Sequence, residues 1–209
     1  MKYTEWKEKY VEKNRRFDEG EQSKKGIFID TKINEKAINS KTYRDKFNNL
    51  DESTEVIKSI YNESKKILKH RSKTKFEDLV FIDSVTNEVK SVTDCNIVSA
   101  VKATNGMQDM LKKSADYSII AIYNHPNSSL PSMSDIATAW KRKYKYGLIV
   151  CHDGKLIKYS VSNDLDLNTN YNLINRNIDK LMNLEYNTSE YMELIKRIKE
   201  LGVSLEVFA

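Results

Sequence analysis

The chain has 209 residues, of which 39% are hydrophobic and 31% are charged, enough apolar sequence for one or two domains with a buried core. No uncharged apolar run approaches the roughly 18 residues that a membrane-spanning helix needs, and the N-terminal residues are too charged for a secretory signal. No membrane partner is expected. The net charge of +5 permits an acidic partner, but lysines and glutamates are interspersed along the chain, which argues against nucleic acid as the partner.

Residues 1–51 are predicted to be an N-terminal extension of helices and linkers. Met1–Phe17 is predicted as a short charged helix, residues 18–26 as a polar linker, and Ile27–Asp30 as an edge strand. Ser40–Leu50 is predicted as a further short helix, and polar residues that can cap the next helix follow it.

An α/β domain is predicted over residues 52–162. A helix over 54–69 is followed by a change of hydrophobic period at Phe76–Asp83, which is predicted as a buried strand. Helices and strands continue to alternate after it. They are predicted at Glu88–Val92 (strand), Met107–Ser114 (helix), Tyr117–Tyr123 (strand), Asp135–Tyr144 (helix), and Gly147–His152 and Lys155–Val161 (strands joined by a two-residue Asp153-Gly154 hairpin).

Residues 163–209 are predicted as a C-terminal helical extension. Apolar positions from Leu173 to Met182 mark one helix, and those from Tyr191 to Leu201 mark another that ends at Gly202. Their apolar faces cover the sheet or form a dimer contact. Val203–Phe208 is predicted as a strand or as a docking tail.

Both prolines of the chain, Pro126 and Pro131, lie in one loop next to His125. The loop follows a predicted buried strand and precedes the helix predicted from Asp135, and sites in α/β folds lie at such strand ends. An imidazole at the end of the strand and a carboxylate in the first helical turn can converge on a divalent metal. We therefore expect the functional site in this loop.

The residues of this loop resemble those of a metalloprotease family. The sequence NHP at 124–126, S-x-x-D at 132–135 and the earlier Glu77 are similar to the signature of the JAB/MPN (JAMM) family, and in particular to its RadC-like branch. The segment Lys65–Val161 resembles more closely the C-terminal domain of phage minor head proteins of the Mu F-like type. The resemblance implies a JAB/MPN (cytidine-deaminase-like) fold over about residues 54–162, with a mixed sheet flanked by helices.

The resemblance also implies an activity, that of a zinc metallopeptidase or isopeptidase. By position, it implies that His125 and Asp135 bind zinc and that Glu77 is the general base acting on a zinc-bound water. It gives Ser132 the role of stabilising the oxyanion. In this family such sites cleave amide bonds near a polypeptide tail, so the implied partner is a protein or peptide tail, and in a phage setting a capsid or host protein.

Two positions depart from the family pattern. Tyr123 stands where the family has its first histidine ligand, and the gap from His125 to Asp135 is one residue shorter than usual. A phenolate of Tyr123, or His152 from the following strand, are the candidates for a further ligand. The alternative is a catalytically inactive scaffold that binds a protein partner, and a nucleic-acid accessory protein is a third and weaker hypothesis.

Other residues have simpler interpretations. S-x-x-D at 132–135 is also the pattern of a helix capping box, and His70 is predicted as an exposed cation at the end of a helix. Cys151 is predicted to be buried and inert, while Cys95 has no adjacent base. Because the two cysteines form neither a disulfide framework nor a zinc-finger spacing, a reducing cytoplasmic compartment is expected, with association to a virion as the alternative.

Overall fold

The structure of the protein, a computed structural model, describes residues 31–93 and 101–209. Thr31–Ala209 forms one compact unit, which includes the segments on both sides of the predicted α/β domain. Four sequence predictions lie outside the described residues: the helix Met1–Phe17, the linker 18–26, the strand Ile27–Asp30, and the loop position of Cys95.

A mixed sheet of six strands is the centre of this unit. Its strands are β1 (Leu79–Asp83), β2 (Val89–Val92), β3 (Ile119–His125), β4 (Tyr146–Cys151), β5 (Leu156–Val161) and β6 (Val203–Phe208). Their order is β2-β1-β3-β4-β5-β6; β3 and β4 are parallel, and the other neighbours are antiparallel. The predicted α/β class, with a mixed sheet, is confirmed.

Helices flank this sheet. Within the described residues they are α1 (Glu35–Ile38), α2 (Lys41–Phe47), α3 (Thr54–Arg71), α4 (Asn105–Lys113), α5 (Met133–Arg142), α6 (Leu167–Leu181) and α7 (Ser189–Glu200). None of these helices combines the length and the apolar character needed to cross a membrane.

The two faces of the sheet carry different layers. Successive side chains of a strand alternate between the faces, and α3 packs on β1, β3 and β4. Ile120 and Ile122 of β3 join the core on this α3 face, so Asn124 follows them on the same side. Tyr123 and His125 alternate to the opposite face, which α5 covers by packing on β4 and β5. We call this second side the α5 face.

Several element boundaries differ from the sequence prediction. β3 extends to His125 because its parallel pairing with β4 continues as far as Cys151, so His125 ends a strand instead of lying in the loop. β1 begins at Leu79, and Glu77 precedes it. Val203–Phe208 is a strand: it pairs with β5, and α7 packs on it.

The hairpin between β4 and β5 is confirmed, but its loop is one residue longer than predicted. The Cys151 N–H donates to the Lys155 carbonyl at 3.0 Å, which leaves His152, Asp153 and Gly154 in the loop. Gly154 has a φ of 93°, in the left-handed region that such loops give to glycine.

Candidate functional site

Glu77 and His125 come together at one end of the sheet. β1 and β3 pair as far as Leu79 opposite Tyr123, and Glu77 and His125 each lie two residues beyond this pair. Burial raises the pKa of Glu77 to about 7; His125 lowers this pKa and Asp135 raises it, so the three groups are close together. A carboxyl group largely removed from water, with a pKa near neutrality and an imidazole nearby, is typical of acid–base sites.

The imidazole of His125 is buried and fixed in orientation. Its Nδ1 lies 2.9 Å from the Ser129 carbonyl oxygen and 3.0 Å from the Ser129 hydroxyl. When Nδ1–H donates to that carbonyl, the lone pair of the ring is on Nε2. Nε2 faces Asp135 Oδ2 at 4.0 Å. His125 is therefore oriented to accept a proton or to bind a cation from the side on which Asp135 lies.

Asp135 is held by Ser132, the residue that caps α5. The backbone N–H and the hydroxyl of Ser132 both donate to Asp135 Oδ2, at 2.8 and 2.7 Å, and the Asp135 N–H donates to Ser132 Oγ at 3.3 Å. This reciprocal pattern is the capping box that the sequence also predicted. The hydroxyl proton of Ser132 is thus committed to Asp135 and orients this carboxylate instead of standing free for an oxyanion.

Tyr123 lies beside His125, but its hydroxyl is used elsewhere. Its ring centroid is 5.3 Å from that of His125, and its hydroxyl donates to Tyr159 Oη at 2.6 Å. The Tyr159 hydroxyl in turn lies 3.5 Å from the Asp135 carbonyl oxygen. Burial raises the pKa of Tyr123 well above its usual value. In this arrangement Tyr123 is a neutral phenol bound to Tyr159.

Gly147 of β4 makes the room in which Tyr159 reaches Tyr123. A Cβ at position 147 would lie 2.2 Å from the Tyr159 ring, and that ring is only 1% exposed. We expect Gly147→Ala to lower the free energy of unfolding by about 1–3 kcal/mol, because the ring has no space to give way. Chemical denaturation followed by circular dichroism measures this loss.

Gly106→Ala is the matched control for this substitution. Gly106 lies in α4, where the nearest heavy atom to an added Cβ is 3.9 Å away, and alanine has the higher helix propensity. The control is expected to keep or slightly raise the stability. Equal losses in the two variants would contradict a steric role for Gly147.

His152 has hydrogen-bond partners at both ring nitrogens. Nδ1 lies 2.6 Å from the Thr31 carbonyl oxygen, and Nε2 lies 3.3 Å from Asn124 Nδ2. Burial lowers the pKa of His152, which favours the neutral ring that this pattern requires. Cys151 is buried, and burial raises its pKa to about 12, as expected of an inert thiol.

A buried ion-pair group that was not expected from the sequence holds the segment carrying Glu77. The Asp78 side chain is fully buried, with Arg71 Nε at 2.5 Å and His70 Nδ1 at 2.7 Å. His70 lies in the last turn of α3, as predicted, and it also binds Asp78. The available signal was the acidic pair Glu77-Asp78 before a strand, since adjacent side chains of an extended segment point to opposite sides.

The structure therefore brings three of the predicted site residues, Glu77, His125 and Asp135, into one cluster, and places Ser132 and Tyr123 at its border. Within residues 31–93 and 101–209, no group of three or more His, Cys, Asp or Glu side chains is placed to hold a metal ion. No family model, no curated protein and no solved structure matches the chain.

Proposed function

We propose that the protein is a JAB/MPN-like hydrolase domain that cleaves an amide bond of a polypeptide at the cluster of Glu77, His125 and Asp135. The observation that supports this function best is the position of Glu77, a half-buried carboxyl group close enough to His125 and Asp135 for both to shift its pKa, which burial raises to about 7. Buried ionisable groups with shifted pKa values are concentrated at functional sites. The resemblance of Lys65–Val161 to the C-terminal domain of phage minor head proteins suggests a phage or mobile-element setting, and that of the loop to the JAB/MPN family suggests a protein or peptide tail as the substrate.

The site has side chains of the types that bind zinc, but fewer of them than a zinc site usually has. His125 offers a free Nε2, with Nδ1 held by Ser129, and Asp135 offers a carboxylate 4.0 Å from it. Catalytic zinc sites usually have three protein ligands, and the hydroxyl of Tyr123 is bound to Tyr159. We therefore expect His125 and Asp135 to hold zinc weakly, and only when it is supplied. Zinc bound there would polarise the amide carbonyl and acidify a water molecule.

The chain's own groups have separate tasks in this reaction. Glu77, with a pKa of about 7, takes the proton of the attacking water and returns it to the leaving amine, which is the behaviour of a general base matched to neutral pH. Ser132 holds the Asp135 carboxylate towards His125.

Zinc content and cleavage test this function together. We expect wild-type protein purified without a chelator to contain less than about a tenth of an equivalent of zinc, and Tyr123→His to raise this content several-fold because it adds a third ligand. Tyr123→Phe, which removes the hydroxyl without adding a ligand, is the control. Metal analysis and cleavage of an internally quenched peptide library in added zinc provide the two measurements, with Glu77→Gln as the inactive reference.

A scaffold that binds a protein partner without cleaving it is the second candidate. It is favoured by the bond between the Tyr123 and Tyr159 hydroxyls, which occupies the position of the missing ligand. Cleavage by Tyr123→His but not by the wild type, both in saturating zinc, would establish this candidate. Equal zinc contents in Tyr123→His and Tyr123→Phe would contradict the JAB/MPN-like site altogether.

A further inference from the structure

Asn124 is the fully buried residue between Tyr123 and His125 on β3. Its side chain lies on the α3 face of the sheet, opposite to the cluster. Its Oδ1 accepts the Asp78 N–H at 2.9 Å, and its Nδ2 donates to the Phe76 carbonyl oxygen at 3.2 Å. One side-chain amide therefore binds the backbone on both sides of Glu77.

These two bonds fix a segment that precedes the regular pairing of β1. β1 begins at Leu79, and its regular pairing with β3 ends there, opposite Tyr123. Buried backbone groups beyond that point need other partners, and the Asn124 side chain provides two of them. Because side chains alternate along an extended segment, Asp78 points towards Arg71 of α3 and Glu77 points to the α5 face, where His125 lies.

His152 fixes the orientation of the Asn124 amide. Nδ1–H of His152 donates to the Thr31 carbonyl oxygen at 2.6 Å, which makes Nε2 an acceptor for Asn124 Nδ2 at 3.3 Å. If the amide were flipped, its oxygen would face two acceptors, the Phe76 carbonyl oxygen and His152 Nε2. Its nitrogen would then face the Asp78 N–H, which is a donor. Only one orientation satisfies these buried groups.

We infer that Asn124 is a positioning residue for Glu77, acting through the backbone of Phe76 and Asp78 from the side of the sheet opposite to the cluster. This inference rests on the proposed hydrolase function, in which Glu77 is the general base. An error of about 1 Å in the position of a catalytic group costs on the order of 100-fold in rate.

Asn124→Leu tests the inference because leucine has a similar size and neither hydrogen-bonding group. We expect kcat for the quenched peptide in saturating zinc to fall about 30- to 100-fold with KM within about threefold, since binding is untouched and only the base is misplaced. Asn124→Asp keeps an oxygen that can accept the Asp78 N–H, so its kcat is expected to fall less than that of Asn124→Leu. Asn177→Leu, at a buried asparagine of α6, is the control and should keep its kcat.

Hydrogen exchange of the Asp78 amide, followed by NMR, separates this inference from the proposed function. In the wild type, the Asp78 amide should be protected from exchange to the same degree as the amides of β1. In Asn124→Leu, the protection factor of the Asp78 amide should fall at least tenfold, while the protection factors of the β1 amides stay unchanged. Rapid exchange of Asp78 in the wild type overturns the inference without any variant. A kcat loss in Asn177→Leu equal to that in Asn124→Leu also overturns it.

If the wild type does not cleave, kcat is measured in the Tyr123→His background. If that variant is also inactive, the proposed function has failed. What is then tested is whether Asn124 fixes the segment that carries Glu77. Loss of Asp78 protection in Asn124→Leu supports this role, and unchanged protection contradicts it.

Discussion

Replacing Asp78 with alanine is expected to lower the free energy of unfolding by about 3–5 kcal/mol, because it removes a buried carboxylate that binds a buried guanidinium. The side chains of Asp78 and Arg71 are 0% and 4% exposed, and Asp78 Oδ1 lies 2.5 Å from Arg71 Nε. Arg71 also donates to the Thr93 carbonyl oxygen at 2.6 Å, so it is held in place and cannot turn to solvent after the substitution. Urea unfolding near pH 7, followed by tryptophan fluorescence and circular dichroism, measures the loss.

An exposed ion pair provides the control for this prediction. Asp109 and Lys112 of α4 are 3.4 Å apart, and their side chains are 60% and 76% exposed. Asp109→Ala is expected to change the stability by less than about 0.5 kcal/mol. Because the Asp78 pair is buried, its loss should persist at about 0.5 M salt, where surface pairs are screened. A loss below about 1 kcal/mol for Asp78→Ala would contradict a major role of this buried pair in stability.

Most of the fold could be predicted because its signals are local. The apolar positions of residues 54–69 follow a helical period, and those of 117–123 are continuous, so the helix α3 and the strand β3 were both expected. The ends of these elements were less predictable. β3 extends to His125 because β4 pairs with it to that point, and a pairing between strands that are distant in sequence leaves no signal at the strand's own end.

Local sequence pattern predicted only the site residues that are close in sequence, and Glu77 was predicted from the family resemblance alone. His125, Ser132 and Asp135 lie between the end of one strand and the start of the next helix, and their order allowed both the metal interpretation and the capping box. The partner of Tyr123 is Tyr159, a residue 36 positions away on another strand. The role of Asn124 depends on the segment before β1, which is 46 positions away from it at Asp78. Neither contact produces a recognisable spacing of residues in the sequence, so both become visible only in the folded sheet.

The ionisation of Glu77 should make the protein less stable as the pH rises. Burial, as the largest cause, raises the pKa of Glu77 from its ordinary 4.5 to about 7 in the folded state. Between these two values the folded protein binds more protons at this site than the unfolded chain, so the stability that Glu77 contributes is full below about pH 4.5 and is lost as the pH rises through about 7. The difference amounts to about 3 kcal/mol.

Glu77→Gln removes this titration and keeps the shape of the side chain. We expect the variant to match the wild type near pH 4.5 and to exceed its free energy of unfolding by about 3 kcal/mol at pH 8, with a chelator present in both samples. Glu185→Gln, at an exposed position, should differ from the wild type by less than about 0.5 kcal/mol at both pH values.

The comparison between variants isolates Glu77 from His152, whose burial lowers its pKa and therefore acts in the opposite direction. The His152 contribution is present above about pH 6.5 and falls at lower pH, but it is the same in the wild type and in Glu77→Gln, so it cancels in their difference. A side chain that destabilises the fold at neutral pH, and whose neutral replacement is more stable but inactive, has the properties of a functional group. A stability difference that stays constant from pH 4.5 to 8 would place the Glu77 carboxyl in solvent and remove the main support for the hydrolase.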